Sequence, residues 1–399
     1  MAKTEKVKRV YLDNASATPV DPLVKDAMAP FWSRGFGNPG AVYKEGVIAK
    51  KAIENSRREI AGVLKCRTNE IIFVNGATES LNLAIRGAIG AWKKTNKNRR
   101  PEIITTSIEH EAVLDTCRAL EKEGVKIVYV KPDEKGIVNA KKIAELLNEN
   151  TVIVSVMYAN NEIGTIEPIK EIGRAIRLFK LARTIDYRLK TKDYPLFHTD
   201  AVQAANYLSL DVNSLGVNLL TINAAKIYGP KGTAILYVKD KTPIEPILYG
   251  GGQEKELRPG TENVPLIAGL AKALSITRGM CQKESRRLSA LRDYFIKQLL
   301  RLPAVGLNGD TLNRLPNNVN VSIGGIDNEY FVIQLDEAGI ACSTRSTCNT
   351  GSDRGSHVIL ALGKSEKEAS ESVRFTLGRF TTKKDIDYTL RTIRRLLNV

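Results

Sequence analysis

The sequence alternates between two patterns from about residue 46 to residue 260. Short β-branched runs, bounded by turn residues and without polar alternation, are typical of strands buried on both faces. Between them, apolar residues recur at helical spacing, as they do through Leu81, Ile85 and Ala88. This alternation predicts an α/β fold with a mostly parallel sheet that helices cover on both faces. The predicted strands are 70–74, 102–106, 125–130, 152–157, 196–199, 217–222 and 233–238.

After residue 265 the pattern changes to a long helix through 300, an alternating strand at 317–323 and a last basic helix from 383. It predicts a second, smaller α+β domain. We place a large domain at 15–264 and a small domain in 1–14 together with 265–399. Because no low-complexity linker separates the two patterns, we expect the domains to pack together.

The chain carries 60 basic and 44 acidic residues, a formal net charge of +16. Its basic clusters at 93–100 and 177–192 carry no interleaved aromatic residues suited to base stacking, so an anionic cofactor or an acidic partner is favoured over direct nucleic-acid binding. The sequence lacks an apolar run of about eighteen residues, so we expect a cytoplasmic protein without membrane spans. Its five cysteines include no CxxC pair and its three histidines lie far apart, which argues against a metal centre.

Polar residues follow three predicted strands, where open parallel sheets bind ligands. Thr78 opens a helix after the first strand; its hydroxyl suits a phosphate, although such a residue often only caps a helix. Asp200 ends another strand and either pairs with a cation or caps the next helix. Lys226 follows the next strand, where a lysine is usually at the surface but, once desolvated, binds aldehydes. Together the three predict a pyridoxal phosphate site.

Nine segments along nearly the whole chain resemble the cysteine desulfurases of the class-V aminotransferase family, the iron–sulfur and nitrogenase assembly group. Among them are Tyr11-Leu-Asp-Asn-Ala-Ser-Ala-Thr-Pro19, Gly76-Ala-Thr-Glu-Ser80, Asn160-Asn-Glu-Ile-Gly164, Asp200-Ala-Val-Gln203, Lys226-Ile-Tyr-Gly-Pro-Lys-Gly232 and Arg258-Pro-Gly-Thr-Glu-Asn-Val264. The resemblance implies a fold-type I pyridoxal phosphate transferase. Such an enzyme would act as a homodimer that converts L-cysteine to L-alanine and leaves the sulfur as a persulfide on a cysteine.

The resemblance also implies a role for each matching residue. Lys226 would hold the cofactor's aldehyde, Asp200 would pair with its ring nitrogen, and His110 would stack on its ring. The remaining roles are phosphate binding, contacts near the phenolic oxygen and binding of the substrate carboxylate. Phosphate binding would fall to Thr78, Asn223 and Thr261 of the neighbouring subunit. Contacts near the phenolic oxygen would fall to Asn161 and Gln203, and binding of the substrate carboxylate to Arg374 and Asn161.

The sulfur acceptor implied by the resemblance lies in the loop 341–352, which contains Cys342 and Cys348. Cys348 matches the family's catalytic position, with the spacing of the group's long catalytic loop. Cys342 follows a predicted strand, where a small apolar core residue is the better interpretation. The persulfide would pass to an acceptor protein: an iron–sulfur scaffold, a sulfur carrier or a tRNA-thiolating enzyme.

The chain departs from the family pattern at three positions of the cofactor region. The family's Ser-x-His before the lysine is Asn223 and Ala225 here, and Glu256 stands where the family has glycine. The side chain of Asn223 can still donate a hydrogen bond but that of Ala225 cannot, so weaker cofactor binding is expected, by about 1.5–3 kcal/mol for one bond to a charged group. Two alternatives stay open: another enzyme of this fold, such as a selenocysteine lyase or aminotransferase, and a cofactor-poor binding partner.

Overall fold

The computed structural model describes residues 9–183, 193–344 and 355–399. Its β-strands, named β1 to β12 in chain order, are Val10–Tyr11, Ile71–Val74, Glu102–Thr106, Lys126–Val130, Thr151–Ser155, Leu196–Asp200, Leu219–Asn223, Ala234–Val238, Val305–Leu307, Asn318–Ile323, Ile340–Ala341 and Ser372–Thr376. Its α-helices, α1 to α13, are Pro22–Met28, Pro30–Ser33, Lys44–Leu64, Ala77–Thr95, Glu111–Lys122, Ala140–Leu146, Ile169–Arg183, Val212–Leu215, Val264–Leu299, Asn328–Glu337, His357–Ala361, Glu366–Ser370 and Lys383–Leu396.

The seven predicted strands of the first pattern form one sheet, in the order β2-β8-β7-β6-β5-β3-β4. Strand β8 is antiparallel to both of its neighbours, and the other pairs are parallel. The central strands are buried throughout, whereas β4 at the sheet edge is partly exposed. The mostly parallel α/β fold that the alternation predicts is therefore confirmed.

Helices cover both faces of this sheet. Ile71 and Phe73 pack into the core formed with α3, α7 and α9, while their neighbours Ile72 and Val74 pack against α4 and α5. Successive side chains of a strand point to opposite faces, so a strand covered on both sides must be apolar at every position. The carboxyl ends of the parallel strands remain at one edge, between these helix layers.

The last third of the chain builds a three-stranded antiparallel sheet in the order β12-β10-β9, with α13 packed on α9. The predicted long helix is α9, and the predicted basic helix from 383 is α13. Strand β1 pairs in parallel with β11, which joins the N-terminal segment to this region. The exact division at 15–264 and at 1–14 with 265–399 stays a prediction.

Helix α9 is long and apolar enough, by length and composition, to match a membrane span, the one such helix among the described ranges. In the fold, 56% of its most apolar window is buried against the rest of the protein. Its buried face packs against α1 and α3 at one end and against α13 at the other. A core helix that joins two parts of a fold has this character.

Three consecutive residues, Glu254, Lys255 and Glu256, adopt left-handed backbone angles, with φ of 43°, 60° and 64°. Glu254 is held by a buried ion pair to Arg57, with Nη2 and Oε1 2.6 Å apart. Because the left-handed region costs a residue with a Cβ atom about 1–2 kcal/mol, Glu256 occupies a position that glycine would fill at lower cost.

We therefore expect Glu256→Gly to raise the free energy of unfolding by about 1 kcal/mol, since relief of the backbone strain exceeds the entropy cost of glycine. Urea unfolding measures the change. As a control, Arg34→Gly changes an exposed residue with φ of −91° and should lower stability. Equal destabilisation by both variants would contradict this account of Glu256.

Candidate active site

A cavity of about 170 Å³ lies at the carboxyl ends of the parallel strands. Eight of the nine described residues that the sequence assigns to the site line it. They are Thr78, His110, Asn161, Asp200, Gln203, Asn223, Lys226 and Arg374. Thr261 is exposed and does not line the cavity. A larger cavity of about 490 Å³, lined in part by Tyr11 and Phe380, contains none of the predicted site residues.

Asp200 ends β6 with its side chain 6% exposed. Its Oδ1 accepts a hydrogen bond from the backbone N–H of Val202, 2.9 Å away, so it closes a turn and caps no helix. Burial raises the pKa of this carboxyl, and the nearby His110 and Lys226 oppose the shift. A buried carboxylate of this kind is stabilised by a cationic N–H brought into the cavity.

Lys226 ends the short 3₁₀ helix Ala224–Lys226, directly after β7. Asn223 caps this helix, because its Oδ1 accepts from the backbone N–H of Ala225 at 3.1 Å. The Nζ of Lys226 donates to the backbone carbonyl of Ser16. The lysine is thus half-buried and lines the cavity. The side-chain Oδ1 of Asn223 is already hydrogen-bonded to the backbone beside it.

Helix α4 begins at the cavity with Ala77, and Gly76 precedes it without a side-chain cap. A Cβ atom added to Gly76 would meet no atom within 4 Å, so open space adjoins the helix terminus. Thr78 in the first turn is exposed and caps nothing, which leaves its hydroxyl for a ligand. Uncapped N–H groups and the helix dipole favour an anion such as a phosphate at this place.

His110 is the N-cap residue of α5, where its Nδ1 accepts from the backbone N–H of Ala112 at 3.1 Å. This hydrogen bond holds the imidazole ring at the cavity wall and makes Nδ1 an acceptor. In the neutral ring the proton therefore lies on Nε2.

The guanidinium of Arg374 is 1% exposed and is anchored on two sides. Its Nη2 donates to Asp13 Oδ1 at 2.8 Å and to Ser16 Oγ at 2.9 Å, and its Nη1 donates to the backbone carbonyl of Asn161 at 3.0 Å. Its buried Nε has no hydrogen-bond partner among the described residues. A buried N–H without an acceptor is costly, so this atom suits an incoming carboxylate.

Asp13 and Ser16 are not among the predicted site residues, yet both contact Arg374 at the cavity. Both lie in the segment 11–19 that carries the family resemblance, and this position was the available signal. Ser16 also lines the cavity, and its carbonyl accepts from Lys226. Gln203 fastens the same segment, because its Nε2 donates to the carbonyl of Ala15 at 3.0 Å.

The cavity residues fit pyridoxal phosphate. An uncapped helix terminus suits the phosphate, a half-buried lysine suits the aldehyde, and a buried carboxylate suits the protonated ring nitrogen. On the phosphate side Asn223 retains its Nδ2 amide as a donor, because its Oδ1 is the atom that accepts from the backbone, whereas Ala225 offers no side-chain donor.

Glu109 lies directly before His110 and is fully buried. Its Oε1 accepts from Thr106 Oγ1 at 2.7 Å and from the N–H of Met157 at 2.9 Å, while Oε2 has no partner among the described residues. Burial raises the pKa of Glu109 to about 8. At neutral pH this shift favours the protonated form of the side chain in the folded protein.

A raised carboxyl pKa makes stability fall with rising pH, because the unfolded chain releases a proton that the folded chain keeps. The effect runs from the unfolded pKa of 4.5 to the folded value of about 8, at up to about 1.4 kcal/mol per pH unit. We expect Glu109→Gln to reduce the stability loss between pH 5 and pH 8, measured by urea unfolding without cofactor. Glu59→Gln, at an exposed position, should leave that loss unchanged.

The two cysteines proposed for the sulfur loop differ in what the structure describes. Cys348 lies outside the described residues. Cys342 directly follows β11 and packs against the core of the C-terminal region; burial raises the pKa of its thiol well above the usual range. A thiol of high pKa is a poor nucleophile, and Cys342 is partly buried against that core.

Comparisons with known proteins agree with this geometry. A family model described as aminotransferase class-V matches residues 10–389. The cysteine desulfurase IscS of Dictyoglomus turgidum is 42% identical over 98% of this chain and 95% of its own, and that of Methanosarcina thermophila is 40% identical over 97% and 91%. A solved structure titled NifS-like protein superposes with a TM-score of 0.88 at 33% identity, covering 98% of this chain and 100% of its own.

The family match spans nearly the whole chain, and the cavity holds the residues that pyridoxal phosphate chemistry needs. The alternative of a cofactor-poor binding protein is not favoured. The chain belongs to the class-V aminotransferase family, and within it to the pyridoxal phosphate-dependent cysteine desulfurases.

Proposed function

We propose that the enzyme converts L-cysteine to L-alanine in this cavity and passes the sulfur to Cys348. One observation carries the proposal: a lysine amine, a buried carboxylate and an arginine with an unpartnered Nε line the same cavity. Arg374 binds the substrate carboxylate, Lys226 and Asp200 hold the cofactor, and Thr78 with the start of α4 holds its phosphate. Asn161, Gln203 and Asn223 complete the contacts.

The bound cofactor supplies an electron sink for the substrate's Cα. Lys226 would take the Cα proton with its amine, which lies at the cavity, and would return a proton to Cα after sulfur transfer. His110 would contact the cofactor ring, with its Nδ1 held by the backbone N–H of Ala112. The Cys348 thiolate forms a bond to the substrate sulfur as the Cβ–sulfur bond breaks. The electron pair stays with Cβ, which takes a proton and becomes the methyl group of alanine.

The working unit in this proposal is a homodimer. Large apolar side chains at 32–43 and at 249 are exposed, Val42 by 94%, and exposed apolar side chains of this size suit a protein interface. Exposed Thr261 can then serve the phosphate of the neighbouring subunit. Sedimentation equilibrium should give twice the chain mass of 44.0 kDa, and a single-chain mass would contradict the dimer.

We identify the sulfur acceptor only by its chemical class. It is a protein that takes a persulfide sulfur: an iron–sulfur scaffold, a sulfur carrier or a tRNA-thiolating enzyme. The net charge of +16 favours an acidic surface on that protein, and a cytoplasmic site of reaction accords with the same proposal.

The first test is an absorbance spectrum before and after L-cysteine, with alanine and sulfide counted under a reducing agent. A Schiff-base band that shifts, with one alanine for each sulfide, is the expected result. A keto acid in place of alanine would identify an aminotransferase. Turnover of selenocysteine but not of cysteine would identify a selenocysteine lyase.

Arg374→Lys should lower kcat/KM for L-cysteine about 100-fold, mostly through KM. A lysine keeps one charge but has no N–H at the position of the unpartnered Nε, and it loses the planar guanidinium that Asp13 and Ser16 hold in place. Steady-state alanine formation measures the effect. The absorbance band should keep its wild-type intensity, because Arg374 does not hold the cofactor; loss of the band would contradict this division of roles.

A further inference from the structure

A chain of four buried polar side chains crosses the sheet beneath the cavity. Ser155 Oγ lies 2.9 Å from His198 Nδ1, and His198 Nε2 lies 3.2 Å from Thr221 Oγ1. Thr221 Oγ1 lies 2.8 Å from Ser80 Oγ, which lies 3.2 Å from the carbonyl oxygen of Ile235. All four side chains are 0% exposed, so every polar atom must find its partner inside the protein.

The last acceptor sets the direction of every bond in the chain. A carbonyl oxygen can only accept, so Ser80 donates to Ile235 and must accept from Thr221. Thr221 then accepts from the Nε2–H of His198, and Nδ1 accepts from Ser155. His198 is therefore a neutral imidazole with one defined tautomer, and burial lowers its pKa to about 3.

These hydrogen bonds connect the two elements that bind opposite ends of the cofactor in the proposed function. Ser80 lies in α4, two residues after Thr78 at the proposed phosphate site. His198 lies two residues before Asp200 on the same face of β6, and Thr221 is the residue paired with Asp200 across the sheet. Thr221 thus connects the first turns of α4 to the strand end that carries the ring-nitrogen partner.

We propose that His198 and Thr221 are positioning residues that hold the phosphate-binding end of α4 at a set distance from Asp200. The inference rests on the proposed cofactor contacts of Thr78 and Asp200. With these hydrogen bonds intact, α4 and Asp200 already have the spacing that the bound cofactor needs, so binding costs little conformational entropy. Without these hydrogen bonds, α4 and Asp200 must become ordered when the cofactor binds, so the affinity for the cofactor falls.

The test compares three threonine variants in apoprotein. Thr221→Val keeps the shape of the side chain and removes the hydroxyl, whereas Thr221→Ser keeps the hydroxyl and removes the methyl group. Thr199→Val is the matched control. Thr199 is equally buried on the neighbouring strand, and its hydroxyl donates to the backbone carbonyl of Val156, which is not part of the Ser155–His198–Thr221–Ser80 hydrogen bonds. Pyridoxal phosphate is titrated into each variant for Kd, and urea unfolding gives its stability.

We expect Thr221→Val to weaken pyridoxal phosphate binding about tenfold or more, as loss of a buried hydrogen bond to a positioned group would. Thr221→Ser and Thr199→Val should stay within about threefold of wild type, although Thr199→Val also loses stability. Equal losses of affinity in Thr221→Val and Thr199→Val would overturn the inference, because affinity would then follow stability alone.

Ser80→Ala provides a second variant if Thr221→Val does not fold. It removes the end of the chain on α4 and should weaken cofactor binding in the same direction, and unchanged affinity would overturn the inference. The wild-type titration separates this outcome from a failure of the proposed function. Wild-type protein that binds no pyridoxal phosphate would refute the proposed site itself and the positioning role with it.

Discussion

Lys226→Ala should lose alanine formation by about 10⁴-fold or more and lose the Schiff-base absorbance band. The lysine has two tasks in the proposed mechanism, covalent attachment of the cofactor and transfer of the Cα proton. No other described lysine lines the cavity, so water or a distant base would have to replace it. Single-turnover alanine formation and the spectrum with added pyridoxal phosphate measure both losses.

Lys231→Ala is the matched control for this prediction. Lys231 lies five residues further in the same turn region, is exposed and lines the larger second cavity, not the candidate site. Its replacement should leave both the band and the turnover close to wild type. A Lys226→Ala protein with substantial turnover would contradict the role of Lys226, whereas equal loss in both variants would indicate a general effect on the fold.

Cys348→Ala should form no persulfide and release no sulfide above background, because no other described thiol is suited to attack the substrate sulfur. Burial raises the thiol pKa of Cys66 and Cys117 to about 12 and that of Cys342 well above the usual range. Cys281 is buried, and its thiol donates to the backbone carbonyl of Tyr207. The absorbance change on adding L-cysteine should remain, since attachment of substrate at the cofactor precedes sulfur transfer. Alkylation with mass detection locates the persulfide.

Cys342→Ala serves as the control in the same loop region. It should keep persulfide formation and lose only stability, since removal of a small buried side chain leaves a cavity. Persulfide on Cys342 in the Cys348→Ala protein would contradict the assignment. Retained turnover in Cys348→Ala without any persulfide would favour the lyase or aminotransferase alternative.

The sheet could be predicted from the sequence because its signals are local. Each predicted strand is a short β-branched run between turn residues, and burial on both faces removes the polar alternation that would blur it. The bounds shifted by one or two residues, as at 152–157, where the structure has Thr151–Ser155. The order of the strands is not local information, and the antiparallel placement of Ala234–Val238 came only from the structure.

The candidate site residues could be named because each follows a strand or carries the family resemblance. Their contacts could not be named. Asp13 and Arg374 are separated by 361 positions, yet they form an ion pair within the cavity wall. Nothing in either residue's neighbours along the chain indicates this pairing, because it depends on where β1 and β12 are placed in the C-terminal region.

The sequence by itself determined the α/β architecture, the cofactor class and the candidate catalytic residues, since these depend on local periodicity and on motifs of adjacent residues. Only the tertiary structure decided how those residues are held. It left the Arg374 Nε without an acceptor, turned the Asn223 oxygen toward the backbone, and made His198 a neutral link between Ser155 and Thr221. Burial and hydrogen bonding arise from groups brought together across the sheet, so they exist only once the chain has folded.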